Sequence, residues 1–509
     1  MGCRLIRPNP PTFVAPSGLT PTLPPVNTLA PTLLPVVTPT LTVTPSLAGT
    51  PYPTMTPSVT PQVNAEPVLY YAQAGDTLPV VAIRFGVNAD EIESPDPIPP
   101  KAFIAPGQLL VIPHGLLNTT SDDHLLPDSE LVYSPSARDF DVVKYVEEAD
   151  GYLSDYSEYL GSIGQASGGE IIAHIAQINS INPRILLALL EYQSGWVFGE
   201  PSDLRQQRYP YNHVSYQDED LLAQVRWAVN QLSIGYYGWR EGRLTGVALA
   251  NAQNPDMQVM ARLAPELNAG TVALQYYFSQ VYDSTEWVQA LNKESGFPAL
   301  YQNMFGDPNI RAMSAEPLFP PDLTQPPMEL PFLHGPYWSY TGGPHGAWER
   351  EGSWAAVDFA PAAKAECTTS NAWVAASAPG RVMHSHYGLV IIDLDDDGSA
   401  QTGWVLIYLH IREDGRVQVG EWVETGDLLG HPSCEGGMAT GVHVHMARKY
   451  NGEWIAADGP VPFVLSGWTV HGSNKAYEGT LTKDGETVTA SPVGANISRI
   501  RLEIIENED

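Results

Sequence analysis

GVHVHMARKY, residues 441–450, sets two histidines one residue apart in what otherwise reads as a buried β-strand. Side chains at i and i+2 of a strand point to the same face, so His443 and His445 converge on one spot. One core histidine is an ordinary structural residue. Two on one face point to a shared ligand, a proton task or both. From this stretch alone the alternative is a pair of surface histidines on a solvated face, so the neighbouring strands decide.

Nine of the thirteen histidines lie between His334 and His471. In that region SWAAVDFAP, 353–361, holds Asp358 in an apolar setting, where a carboxylate needs a cation or several donors to stay buried. WVLIYLHI, 404–411, delivers His410 at the end of a β-rich run. A carboxylate and imidazoles converging on a sheet are the donor set of a zinc site with an open position, the arrangement that activates water.

These motifs make residues 331–465 similar to the M23 (LytM-type, lysostaphin-like) metallopeptidases. The resemblance is carried by VDFAP, ASAPGRV (376–382), Tyr408-Leu409-His410, the VxxGxWVxxGDLLG pattern (417–430) and Gly-Val-His-Val-His. It implies an antiparallel β-rich peptidase fold in which Asp358 and His445 bind Zn2+. It also implies that His410 and His443 polarise the attacking water and stabilise the tetrahedral oxyanion. The family's His-x-x-x-Asp places its first zinc histidine at position 354, which here is Trp354. Tryptophan has no lone pair to offer. His345, in TGGPHGAW, stands thirteen residues before Asp358, and a loop insertion would return it to the same corner. His334, in LHGPYW, is the other candidate, and a site lacking its third ligand is the remaining one. In that last case the domain is a noncatalytic wall-binding regulator of other hydrolases.

The chain's 509 residues leave room for several domains. Its net charge of −31 is opposite to the basic stripe that nucleic acid requires, and it argues against binding anionic polymers by charge alone. No apolar run is long enough for a transmembrane helix. Cys367 and Cys434 would form a disulfide in an exported protein and stay reduced in a cytosolic one. The N-terminus, MGCRLIRPNP, resembles the end of a bacterial lipobox, which makes Cys3 a candidate lipidation site and the membrane a partner only through that anchor. Between Arg7 and Glu66 there is no charged residue, and Pro and Thr dominate. Residues 1–66 therefore read as a stiff polyproline-like tether.

Residues 67–115 read as strand, turn, helix, turn and closing strand. GDTL, Ile-Ala-x-x-Phe-Gly-Val and PGQLLVIP make this unit resemble the βααβ LysM domain. The resemblance implies binding to N-acetylglucosamine-containing glycans such as peptidoglycan, with Gly75, Asp76 and Thr77 at the contact. The sequence ESPDPIPPKAF departs from the Asn-x-Leu usual after the second helix. Residues 135–315 have helical periodicity. GGEIIAHIAQINSINPRILLALLEYQSGWV resembles the core helix of lytic transglycosylases and lysozyme-like proteins, but Gln193-Ser194 occupies the place of their Glu-Ser pair. Glutamine cannot act as a general acid, and Glu191 is the remaining carboxylate. The domain is therefore expected to pack or bind glycan.

DLDDDG, 393–398, spaces acids like the start of a calcium loop, but Trp404 occupies the position of the closing bidentate Glu. A charged hairpin turn is expected. His384 and His386 are expected to line the groove without being ligands, and His431 to be structural. The tail, 466–509, reads as a β-hairpin without chemistry. The expected architecture is multidomain α+β: tether 1–66, LysM module 67–115, helical lysozyme-like domain 135–315, M23 peptidase domain 325–465 and β-rich extension 466–509. The expected function is that of a secreted or surface-tethered peptidoglycan endopeptidase of the bacterial cell envelope.

Overall fold

The structure, a computed structural model, describes residues 63–64, 66–161, 164–253, 257–348, 351–361 and 366–503. Cys3 and nearly all of the expected tether lie outside the described residues. No helix among the described residues is long and apolar enough to cross a membrane.

The centre of the fold is a nine-stranded sheet whose neighbouring strands all run antiparallel. Across it lie Trp422–Val423, Gly380–His386, Leu389–Asp393, Trp404–Leu409, Val444–Tyr450, Ala356–Pro361, Trp338–His345 and Arg499–Ile500, with Glu453–Trp454 pairing beside Val444–Tyr450. Its strands are apolar on both faces, which is what burial on both sides requires. Leu389, Ile391, Val405, Ile407 and Leu409 belong to one core, and Val390, Ile392, Leu406 and Tyr408 to the other. The period of two thus assigns alternate residues to opposite layers.

The first of those cores is shared with the helical region. Helices Gly168–Asn179, Pro183–Ser194, Leu221–Arg240 and Ala269–Val281 pack into the same apolar cluster as that sheet face. Local signals explain their starts. Ser167 and Glu170 form a capping box, and Asn182 caps a helix that has Pro183 in its first turn. Ile185 to Leu190 are all fully buried, so this helix runs through the middle of the region. Gly235 lets the Leu221–Arg240 helix approach its neighbour, because a Cβ there would lie 2.8 Å from the Ala273 Cα. The helical and β regions, read from the sequence as successive domains, therefore share one continuous core.

The N-terminal module pairs Val68–Tyr71 antiparallel with Leu109–Ile112 around the helix Leu78–Phe85. The second helix of the expected βααβ order is only a 3₁₀ turn, Ala89–Glu91. Pro95, Pro97, Pro99 and Pro100 follow it, and prolines remove helix donors and hold the residues before them extended. The turn expected to touch glycan points inward, which corrects that expectation. Gly75, Asp76 and Thr77 are all buried. The Asp76 carboxylate accepts from Tyr70 Oη at 2.5 Å, Gln73 N at 2.8 Å and Arg84 Nη1 at 2.7 Å. Arg84 in turn donates to the Trp239 carbonyl of the helical region at 3.1 Å. The turn holds the module to its neighbour and leaves no carboxylate for a sugar.

The tail is more than a hairpin. Val464–Leu465, Trp468–Gly472, Gly479–Lys483 and Glu486–Thr489 form a four-stranded meander, and Arg499–Ile500 then adds an edge strand to the main sheet beside Trp338–Ser339.

Candidate metal centre

Three adjacent strands assemble the site. Across the Ala356–Pro361 and Val444–Tyr450 pair, Asp358 stands opposite His445. On the other side of Val444–Tyr450, His445 stands opposite Leu409, which puts His410 one residue beyond the strand end. His345 closes the third strand opposite Ala356. The register shifts on both sides of Asp358, and such irregularities re-aim side chains beside active sites. Gly342 faces the carboxylate, and a Cβ there would lie 2.5 Å from Asp358 Oδ2.

The structure brings His345, Asp358 and His445 together. His345 Nε2 lies 3.0 Å from His445 Nδ1 and 3.3 Å from Asp358 Oδ1, and His445 Nδ1 lies 3.2 Å from Asp358 Oδ1. A tetrahedral zinc with bonds of ~2.0–2.1 Å has donor–donor edges of about 3.3 Å. The three donors therefore already stand at the corners of such a face. Backbone carbonyls occupy the opposite ring nitrogens: His345 Nδ1 lies 2.8 Å from Gly343 O, and His445 Nε2 lies 2.9 Å from Ala347 O. Each carbonyl accepts the N–H there, so the lone pairs at His345 Nε2 and His445 Nδ1 face Asp358. Asp358 Oδ1 is buried and accepts no hydrogen bond among the described residues. A buried carboxylate oxygen ringed by two lone pairs fits a bound cation.

His443 and His410 flank this face. His443 Nε2 lies 3.9 Å from Asp358 Oδ1, and its Nδ1 is held 2.8 Å from Gly441 O. The His410 ring is 4.5 Å from that of His443, and its Nδ1 lies 2.7 Å from Glu435 O. The His410 backbone has φ of 68°, an uncommon state for a residue with a side chain and one that concentrates at functional sites. Burial, with the neighbouring His443 and His445, pushes the His410 imidazole down to about 3. Burial alone would raise Asp358, but the imidazoles of His345 and His443 draw it well below the usual carboxylate range. Burial lowers His445. The result is an ionised carboxylate beside two imidazoles, His410 and His445, that burial holds toward their neutral form.

Other candidates fall elsewhere. His334 is exposed and bonds Glu503 O at 2.6 Å. Trp354 lies under the Arg243 guanidinium, 6.0 Å from ring centroid to Cζ, so a hairpin loop separates His345 from Asp358. His384 and His386 sit together with ring centroids 5.6 Å apart, near His174 of the helical region. His431 packs tilted against Trp373, with ring centroids 3.8 Å apart, and its Nδ1 lies 2.7 Å from Ala372 O. Asp393 accepts from the backbone N–H groups of Asp395 and Gly398, inside a turn between strands. Glu191 Oε2 accepts from Val197 N and Phe198 N, and Gln193 Oε1 from Tyr282 Oη. That carboxylate is committed to holding a loop. Cys367 and Cys434 are joined as a disulfide, with Cα atoms 5.7 Å apart.

Two features escaped the sequence reading. The carbonyls of Gly343, Ala347, Glu435 and Gly441 fix all four imidazoles, and carbonyl direction leaves no mark in residue identity. Tyr477, from the tail, stacks on His345 with ring centroids 4.1 Å apart. The glycine pair Gly342-Gly343 was the available signal, because paired glycines mark a close approach of backbone.

Residues 124–318 match the family model described as LasA, N-terminal domain. Over 352 residues the chain is 29% identical to Protease LasA of Pseudomonas aeruginosa strain UCBPP-PA14, covering 66% of this chain and 75% of that protein. Protease LasA of strain PAO1 gives the same values. Among solved structures, the chain is similar to an M23 metalloprotease, pseudoalterin, from the deep sea, with a TM-score of 0.28 and 23% identity over 32% of this chain and 94% of that one. It is also similar to the catalytic domain of the antimicrobial peptidase lysostaphin from Staphylococcus simulans, with a TM-score of 0.18 and 20% identity over 25% of this chain and 96% of that one. The likeness to Protease LasA supports a peptidase.

Proposed function

We propose that the chain is a zinc-dependent, M23-type endopeptidase that acts outside the cytoplasm on a peptide bond in the stem or cross-bridge of peptidoglycan. The observation that carries this reading is the convergence of His345 Nε2, Asp358 Oδ1 and His445 Nδ1 within 3.3 Å of one another, with the opposite imidazole nitrogens bonded to carbonyls. These three residues would hold the metal. Zinc, when bound, supplies Lewis acidity to the water and the carbonyl of the scissile bond.

The chain's own groups do the rest. With its Nδ1 proton on Gly441 O, His443 presents a basic Nε2 that accepts a proton from the attacking water. His410, neutral because its imidazole is held at about 3, keeps its proton on Nδ1 against Glu435 O. Its ring packs against His443 and holds that imidazole's orientation. His443 Nε2 lies 3.9 Å from Asp358 Oδ1, which sets this base beside the corner that would hold the metal.

The test is digestion of purified peptidoglycan by the full chain, reading new amino termini and new reducing ends separately. The reading expects new amino termini without new reducing ends, and their release roughly 10²–10⁴-fold slower from His443→Ala. New reducing ends alone would refute it.

A further inference from the structure

The turn before Gly479–Lys483 in the tail meander reaches back to the metal corner. Tyr477 lies there with its ring nearly parallel to the His345 imidazole, 21° between planes and 4.1 Å between centroids. The backbones are joined as well. Gly343 N donates to Tyr477 O at 2.9 Å, and Tyr477 N donates to Pro344 O at 3.1 Å. The Gly343 carbonyl is the one that holds His345 Nδ1. One loop therefore fixes both the carbonyl that orients His345 and one face of its ring. The fit is close, since a Cβ on Gly343 would lie 2.5 Å from the Glu478 carbonyl carbon.

Tyr477 occupies this place at a cost. Its φ is 69°, a left-handed conformation that glycine or asparagine adopts far more readily than a bulky side chain. The residue is also half exposed, at 51%, so apolar burial explains only part of its presence. Among the described residues, the ring it stacks on is that of His345. An imidazole whose Nε2 lone pair is drawn toward a cation becomes electron-poor, and an electron-rich phenol face then attracts it more strongly.

We propose that Tyr477 is a positioning residue that holds His345 in its ligand orientation, so that the C-terminal meander completes a metal site whose first histidine has moved upstream of the usual position. This rests on the zinc reading above. Orienting partners of metal ligands are typically worth about 10–100-fold in metal affinity.

The experiment is zinc affinity of the full chain by chelator competition, with thermal unfolding of the metal-free protein alongside. Tyr477→Gly and Tyr477→Asn both suit the left-handed backbone and remove the ring, whereas Tyr477→Phe keeps the stacking face. The expected result is zinc affinity about 10–100-fold weaker for the Gly and Asn variants, with metal-free melting temperatures at or above that of the wild type. Tyr477→Phe should stay within about threefold of the wild type, as retained stacking requires. Wild-type affinity in the Gly or Asn variant would overturn the proposal while leaving the zinc reading intact. A Phe variant as weak as the Gly variant would also overturn it. A wild-type chain that binds no zinc would overturn both.

Discussion

Replacing Arg240 with methionine should weaken the whole folded unit, because this one guanidinium joins three parts of the chain. It contacts Glu453 of the central sheet at 3.0 and 3.2 Å, Asp128 of the helical region at 2.9 Å and Tyr236 Oη at 3.2 Å, and it donates to Ala74 O of the N-terminal module. Arg240 is buried, as are Asp128 and Glu453. Removing one partner of a buried charge network strands the others, at a typical cost of about 3–5 kcal/mol. The loss should depend on pH. Burial pushes Glu453 up to about 7 against the pull of Arg240, and without that cation its pKa must rise further. At pH 6 the group is mostly protonated with or without Arg240. At pH 8 only the wild type gains from an ionised pair. Denaturant unfolding of wild type and Arg240→Met at both pH values should therefore give a larger difference at pH 8. A difference below about 1 kcal/mol, the worth of an exposed ion pair, or one independent of pH, would refute the reasoning.

Further outcomes follow from other groups. Burial, with His386 and His174 nearby, lowers His384 to about 4, so folding favours its neutral form. Its stabilising share is fully present above pH ~6.5 and is lost as pH falls toward 4, by up to about 3 kcal/mol. His384→Phe should flatten the acid limb of the stability profile, and an unchanged limb would contradict this. Glu191→Ala should cost about 1.5–3 kcal/mol, because its carboxylate holds two backbone N–H groups, and should leave peptidoglycan cleavage intact. Loss of cleavage at wild-type stability would instead return chemistry to the helical region. Denatured, unreduced protein from the cell exterior should show no free thiol at Cys367 or Cys434, and reduction should lower stability by about 2–4 kcal/mol. Two titratable thiols there would contradict the pairing.

The convergence of the candidate-site side chains was legible in part because strand periodicity fixes which residues share a face. His443 and His445 lie together for that reason, and Asp358 stood out as a carboxylate in an apolar strand. His345 was legible only as one of several candidates, since the loop that separates it from Asp358 follows no short spacing rule. Packing between regions was not legible. The apolar runs at Leu389–Ile392 and Val405–Tyr408 are buried on both faces, and nothing in their sequence tells that helices supply one of the covers. The inward turn at Gly75–Thr77 was misread for a related reason. A module seen alone has a free surface, and only tertiary structure shows Arg84 and Arg240 fastening that surface to the helical region. Tyr477 was silent because it stands 132 positions beyond His345 in the sequence (477 minus 345), the residue whose ring it faces.

The most direct measurement is the metal content of the purified full-length chain, wild type beside His345→Ala and His443→Ala. The account predicts one zinc per wild-type chain, loss of that zinc in His345→Ala, and retention in His443→Ala with turnover reduced roughly 10²–10⁴-fold. A wild-type chain without zinc, or a His345→Ala variant that keeps both zinc and turnover, would contradict it.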